Sequence, residues 1–294
     1  MTRSDMRADE VRETLRRQIG DASRALRDPA LPDEAIHHAR KELKRARANL
    51  RLLRPAIGGR AYARANAALR DSSRPFSAAR DARVLVQTID ALLEAEQNAS
   101  RRALLSKMRA QLEQQRLSAR EAVHTTGEGA RSADSLDAVW QRVQHWRLSR
   151  NKPGALGKGV KRIYRSTRKA YKAAAPDGTP EKLHEWRKQV KYLGAALETL
   201  DAGEGRVPTK LLRKLRGLAE CLGLDHDLVV LEETLAKLHS RASHARTGIF
   251  AQIASRRELL HAEAMKNARA LFRREPKAFL KHNVSRTSEQ HGRR

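Results

Sequence analysis

Two nine-residue stretches concentrate the side chains that hold anions. HHARKELKR runs from His37 to Arg45, and HEWRKQVKY runs from His184 to Tyr192. Both read H-x-x-R-K-x-φ-K, where φ is aliphatic. On a helix, positions i, i+3, i+4 and i+7 share one side. That spacing gathers His37, Arg40, Lys41 and Lys44 in the first stretch, with Arg45 beside them and Arg47 and Arg51 extending the row. It gathers His184, Arg187, Lys188 and Lys191 in the second. Arginine presents a planar fork that fits phosphate oxygens, and lysine a mobile point charge. The histidine can donate a neutral N–H to phosphate, orient its helix by a hydrogen bond, or carry charge at mildly acidic pH.

A single basic helix face is most often a solvated surface. Here the face occurs twice, and its acidic partners are sparse: Glu34, Glu42 and Glu185. Like charges at i,i+4 repel by a few tenths of a kcal/mol per pair. A helix built only for solubility would mix the signs; this arrangement accepts repulsion that a bound anion would relieve.

The elements that must position these residues are helices. Beside each basic face lies an apolar stripe: Ile36, Ala39, Leu43, Ala46 and Leu50 in one, Leu183, Trp186, Val190, Leu193 and Leu197 in the other. Preceding helices add Lys161, Arg162, Arg165, Arg168, Lys169 and Lys172 in the second half, with Arg12 and Arg16 as weaker counterparts in the first. Arg213, Lys214 and Arg216 supply a further basic helix. All of these are candidate anion ligands.

Helical periodicity fills the chain, and no period-2 strand pattern stands out. The spacing predicts helices over 4–27, 33–55, 60–72, a long pattern over 77–123, and a short helix over 136–147. HTTGEGARSADS, at 124–135, and NKPGALGKG, at 151–159, read as linkers. Further helices are expected over 160–175, 180–200, 208–222 and 226–273. Asp33 is a candidate N-cap, and the polar segment from residue 276 to 294 is expected to be disordered.

The scheme restarts halfway. The motif recurs at an offset of 147; Leu69-Arg70 matches Leu215-Arg216, and Arg80-Asp81-x-x-Val84-Leu85 matches His226-Asp227-x-x-Val230-Leu231, both at 146. The expectation is an all-α fold of two duplicated units of about four helices each, packed as antiparallel bundles; if the units pair about a pseudo-twofold axis, their basic faces line one shared groove. The first unit spans 1–125, a connector with a short helix 126–158, and the second unit 159–275.

Composition points the same way. The 294 residues hold 61 Lys+Arg and 34 Asp+Glu, a net charge of +27. Both halves are basic, so this is no basic tail on a neutral domain. Such a field attracts polyanions: nucleic acid, anionic membrane or polyphosphate. One cysteine, Cys221, excludes an internal disulfide and a multi-cysteine zinc site. Nothing resembles a signal peptide or membrane span, so a cytoplasmic, soluble protein is expected. Asp81 and Asp227 read as helix-terminal charges salt-bridged to motif arginines, and Trp140, Trp146 and Trp186 as packing residues. His226-Asp227 is similar to the dipeptide of metal-dependent hydrolases, but Arg80 stands at its repeat, so no metal site and no cofactor are expected.

The duplicated H-x-x-R-K-x-φ-K helices, RDARVL at 80–85 and LGLDHDLVVL at 222–231 resemble the CHAD domain, the conserved histidine α-helical domain. The resemblance covers about residues 5 to 275. It implies two four-helix bundles, a basic cavity or pore, and non-catalytic binding of inorganic polyphosphate with targeting to polyphosphate granules. By motif it implies His37, Arg40, Lys41, Lys44, His184, Arg187, Lys188 and Lys191 as ligands. Two departures stand out: Arg83 occupies a place where the family favours an acidic residue, and KYLG after Val190 is poorer in arginine than KRAR in the first unit. Some members carry a fused hydrolase with E-x-E-x-K; here Glu94-Ala95-Glu96 is followed by Gln97-Asn98.

Two rival readings remain. A sequence-nonspecific nucleic-acid binder shares the charge, although aromatics are 4% and base stacking needs them. A hydrolase needs clustered carboxylates for Mg²⁺, and the acidic residues here are scattered.

Overall fold

The computed structural model describes residues 8–148, 154–202, 206–238 and 243–284. Among them every regular element is a helix. The fold is all-α. The helices are α1 (Ala8–Leu26), α2 (Asp33–Ile57), α3 (Gly59–Asp71), α4 (Ser77–Ala95), α5 (Ala99–Thr125), α6 (Glu128–Gln144), α7 (Ala155–Ala174), α8 (Pro180–Asp201), α9 (Thr209–Leu238), α10 (His244–Phe272) and α11 (Pro276–Asn283).

The apolar stripes of the motif helices are buried as their spacing requires: Ile36, Ala39, Leu43, Ala46 and Leu50 on α2, and Leu183, Trp186, Val190, Leu193 and Leu197 on α8. Helix α2 also buries Ala48, Leu52 and Leu53, because it is packed by α1, α7 and α8 at once. The α2–α7 crossing is very close. A Cβ at Gly159 would stand 2.2 Å from the Leu52 carbonyl oxygen, so only glycine permits the two backbones to meet there.

Within the first half α1 packs on α2 and α6, α2 on α3, and α4 on α5. Within the second half α7 packs on α8 and α11, α8 on α9, and α9 on α10. Between the halves α2 meets α7 and α8, α4 meets α9 and α5 meets α10.

Several expectations are corrected. Residues 276–283 form α11 rather than a disordered tail: Phe279 is buried and stacks on Tyr164 at 3.8 Å between ring centroids. Residues 285–294 lie outside the described residues, as do 1–7, which open the first predicted helix, and 149–153 of the second linker. The linker at 124–135 is mostly helix. Helix α6 starts at Glu128, after Gly127 at φ +63°. Its small residues serve packing: Gly129 and Ser132 are buried, and a Cβ at Gly129 would stand 2.8 Å from the Leu26 carbonyl oxygen. Helix α6, the connector helix expected over 136–147, packs on α1, and α11 packs on α7; among the described residues the first half holds α1–α6 and the second α7–α11, more than four helices each. Helix α2 passes through Pro55 and ends at Gly58, φ +85°; so near its end the proline forfeits one intrahelical bond. Asp33 is the first helical residue, not the cap, and pairs with Arg116 at 2.8 Å.

The expected break near residue 222 is absent. Helix α9 runs straight through Gly223, because the buried row Leu215, Leu218, Leu222, Leu228, Leu231 and Leu235 outweighs the roughly 1 kcal/mol a helical glycine costs. Helix α9 is described to Leu238 and α10 begins at His244, where a single helix over 226–273 was expected; residues 239–242 lie outside the described residues.

Candidate anion site

Helices α2 and α8 lie against each other, and α4 and α9 lie against each other beside them. This brings Lys44 and Lys191 together with Arg40, Arg187 and Arg80. Burial depresses the Lys44 ammonium to about 7, and the charges of Lys191, Arg80, Arg40 and Arg187 push in the same direction. Burial likewise depresses Lys191 to about 8, with Arg187 and Arg80 adding to it and Asp227 opposing. Both lysines nevertheless have much of their surface open to solvent.

The arginines are also depressed by burial first. Arg40 donates to the Ser73 carbonyl at 2.9 Å and to the Ser77 hydroxyl at 3.1 Å. Arg187 has Asp227 at 3.9 Å. Arg80 holds Asp81 at 2.9 Å. Five cations therefore meet two carboxylates. The buried Nε of Arg40, the Nε of Arg187 and the Nδ1 of His184 all lack a hydrogen-bond partner. Buried polar atoms are usually satisfied; these three, with the Nε1 of Trp186, are the exceptions within the two stretches.

The histidines are neutral at neutral pH. His184 lies 4.2 Å from His226 between ring centroids. Burial depresses His226 to about 4, helped by His184, Arg187 and Arg80. Burial also lowers His184 and His37, with Lys188 and Arg187 repelling a proton on the first and Arg83, Lys41 and Lys44 on the second. A neutral imidazole offers one N–H donor.

Between α4 and α9 is a cavity of about 60 Å³ lined by Arg80, Asp81, Val84, Leu85, His226, Asp227 and Val230.

The other candidates are distributed more widely. Lys41 is exposed beside the cluster, and Lys188 pairs with Glu185. Arg47 and Arg51 share Asn66, and the Arg51 guanidinium stacks 3.7 Å over the Tyr192 ring. Arg45 turns away to the buried Glu42 at 2.9 Å. Arg12 donates to the Trp146 carbonyl, and Arg16 pairs with Glu13 and stacks 4.2 Å over Trp140, so both are engaged along α6 and its end. Arg168 ties α7 to the Phe272 carbonyl and Glu275. Arg216 pairs with Glu198. Arg162, Arg165, Lys169, Arg213 and Lys214 are exposed, and Lys161 is half-buried.

Three residues of the site were not singled out as ligands by sequence. Arg80 and His226 occupy matched places in the repeat, and that correspondence was the available signal. Gly223, in the same segment, carried none. Asp81 and Asp227 sit inside α4 and α9 rather than capping them; the ion pair expected with a motif arginine exists for Asp227.

A family model described as the CHAD domain matches residues 10–236. A crystal structure of the CHAD domain from the plant Ricinus communis superimposes with a TM-score of 0.59 at 19% identity, covering 95% of this chain and 92% of that one. PptA from Streptomyces chartreusis superimposes with a TM-score of 0.56 at 19% identity, covering 94% and 98%. No curated protein matches the sequence. Among the described residues no helix is long and apolar enough to cross a membrane.

Proposed function

The chain belongs to the CHAD-domain family, and from that premise we propose that it binds inorganic polyphosphate, without catalysing a reaction on it, and is thereby carried to polyphosphate granules. The observation that carries this reading is the meeting of Lys44 and Lys191 amid Arg40, Arg187 and Arg80. Such a cluster is costly when empty. It lowers its own lysines' basicity and leaves donors unfilled, and a chain of phosphates would correct both faults. A repeating anion also suits a repeated motif, since both helices present their lysines to one stretch of phosphates.

Nucleic acid is the weaker alternative. Base stacking needs free aromatic faces, and the ring of Tyr192 is covered by Arg51 while that of Tyr62 is covered by Arg54 at 4.6 Å.

The test is binding of long-chain polyphosphate at physiological salt, with duplex DNA as competitor, for the wild type and a Lys44→Ala/Lys191→Ala variant. The expected result is a Kd well below micromolar, poor competition by DNA at equal charge, and a large loss in the variant. Displacement by DNA at equal charge, or wild-type binding by the variant, overturns the reading. Phosphate release from polyphosphate in the presence of Mg²⁺ would overturn its non-catalytic part.

A further inference from the structure

Arg40 and Arg187 hold the same place in the two motifs, but their surroundings differ. Both hydrogen-bond acceptors of Arg40 belong to the turn that joins α3 to α4: the Ser73 carbonyl and the Ser77 hydroxyl. The second half has no such turn, since α9 runs unbroken from Thr209 to Leu238. Its interior carbonyls are engaged along the helix. At the downstream offset of 146, Ser77 corresponds to Gly223.

Gly223 is buried. A Cβ there would stand 3.2 Å from one Nη of Arg187 and 3.5 Å from its Nε. The guanidinium therefore lies against the bare backbone of α9, in space that a side chain would crowd. Among the described residues Arg187 makes no hydrogen bond. Asp227, at 3.9 Å, is beyond hydrogen-bond reach, and the buried Nε has no acceptor. Arg40 also has an unpartnered Nε, but its Nη is held twice. An arginine carries five N–H donors. One that is walled in by protein with those donors unfilled is set for an acceptor that arrives.

Resting on the polyphosphate reading, we propose that the two matched arginines divide the work. Arg187 is the arginine that grips phosphate. Gly223 is a positioning residue that keeps its guanidinium in place and unengaged. Arg40 is a brace that fixes the α3–α4 turn. The duplication is thereby unequal: one copy of the motif binds with its arginine, and the other builds with it.

The experiment measures affinity for tripolyphosphate and for long-chain polyphosphate, together with Tm, in three variants. Arg187→Ala is expected to lose about tenfold or more in affinity, the loss of charged hydrogen bonds, with Tm close to wild type. Arg40→Ala is expected to lower Tm and, measured where the variant is folded, to lose clearly less affinity than Arg187→Ala, the share owed to its charge in the cluster alone. Gly223→Ala is the discriminating case. Alanine is the better helix former, so Tm is expected to hold or rise while affinity falls toward that of Arg187→Ala. The dependence of log Kd on log salt should flatten in Arg187→Ala by about one ion and by less than that in Arg40→Ala. Equal affinity losses for the two arginine variants, or wild-type binding by Gly223→Ala, overturn the proposal. If the wild type itself fails to bind polyphosphate, the functional reading falls and the assignment of Arg187 falls with it. The brace is then judged by the Tm contrast alone.

Discussion

Lys191 is the charge that weighs most on Lys44: after burial, it is the largest influence holding that ammonium down to about 7. The two lysines occupy the same place in motifs 147 residues apart. Their confrontation raises the local density of positive charge to a level the empty protein supports poorly, and that tension yields the first two predictions.

Binding should take up protons. Lys44 and Lys191 sit at about 7 and 8 in the empty site, and a polyanion favours their charged forms. Affinity should therefore be greatest below about pH 7 and fall as pH rises through 7 and 8. Calorimetry at pH 8 in buffers of different ionisation enthalpy should register net proton uptake on polyphosphate binding; none would mean that the lysines stay charged when the site is empty. Stability runs the other way. Both folded pKa values lie below the unfolded lysine value, so the unfolded chain holds more protons between them. The empty protein should grow more stable as pH rises from about 7 toward 10, as far as these two groups determine it.

Replacing one lysine by an apolar residue of similar length should separate binding from stability. Lys191→Met removes a charge that repels Lys44, Arg187 and Arg80. We expect Tm to hold or rise, while polyphosphate affinity falls by about tenfold, the scale of a charged hydrogen bond. Urea denaturation beside a binding isotherm reports both. A drop in Tm would show that the lysine's stem, not its charge, is what the fold uses.

At Gly159 the two halves meet backbone to backbone. Gly159→Ala drives a Cβ into the Leu52 carbonyl of another helix, and neither backbone can yield easily. The expected cost is about 1–3 kcal/mol, read as a lower urea midpoint. Gly194→Ala is the control: a Cβ there meets nothing, and the exchange should stabilise α8 by up to about 1 kcal/mol. Similar results for both would mean that α7 and α2 do not cross as described.

The segment after residue 275 belongs to the folded body. Phe279→Ala removes a ring that stacks on Tyr164 and is buried in the core. The expected loss is about 3 kcal/mol or more, and hydrogen exchange in α7 should speed up with it. An unchanged Tm would return this segment to the status of an appendage.

The division between sequence and structure follows from the range of the interactions. Local periodicity was enough for α2 and α8, because the apolar stripe and basic row of each depend only on 3.6-residue repetition, and the same five apolar positions of each proved buried. The repeat also located Asp227 opposite a motif arginine. Small residues were misread. Gly129 and Ser132 looked like loop and Gly223 like a break, yet Gly129 and Ser132 sit where α6 packs on α1 and Gly223 sits where a guanidinium lies on α9. Nothing local distinguishes a glycine that ends a helix from one that admits a neighbour. Partner choice was equally invisible. The sequence placed Arg12, Arg16, Arg40 and Arg187 in one class of basic positions. Tertiary structure turned the first two toward α6, tied the third to a turn, and left the fourth open, because where a long side chain ends is set by the helix packed across from it. Composition and spacing alone determined an all-α, strongly basic chain with a repeated basic motif. Which of those cations come close enough to repel one another was decided only when α2 met α8, because residues 147 apart in the chain feel each other only through packing.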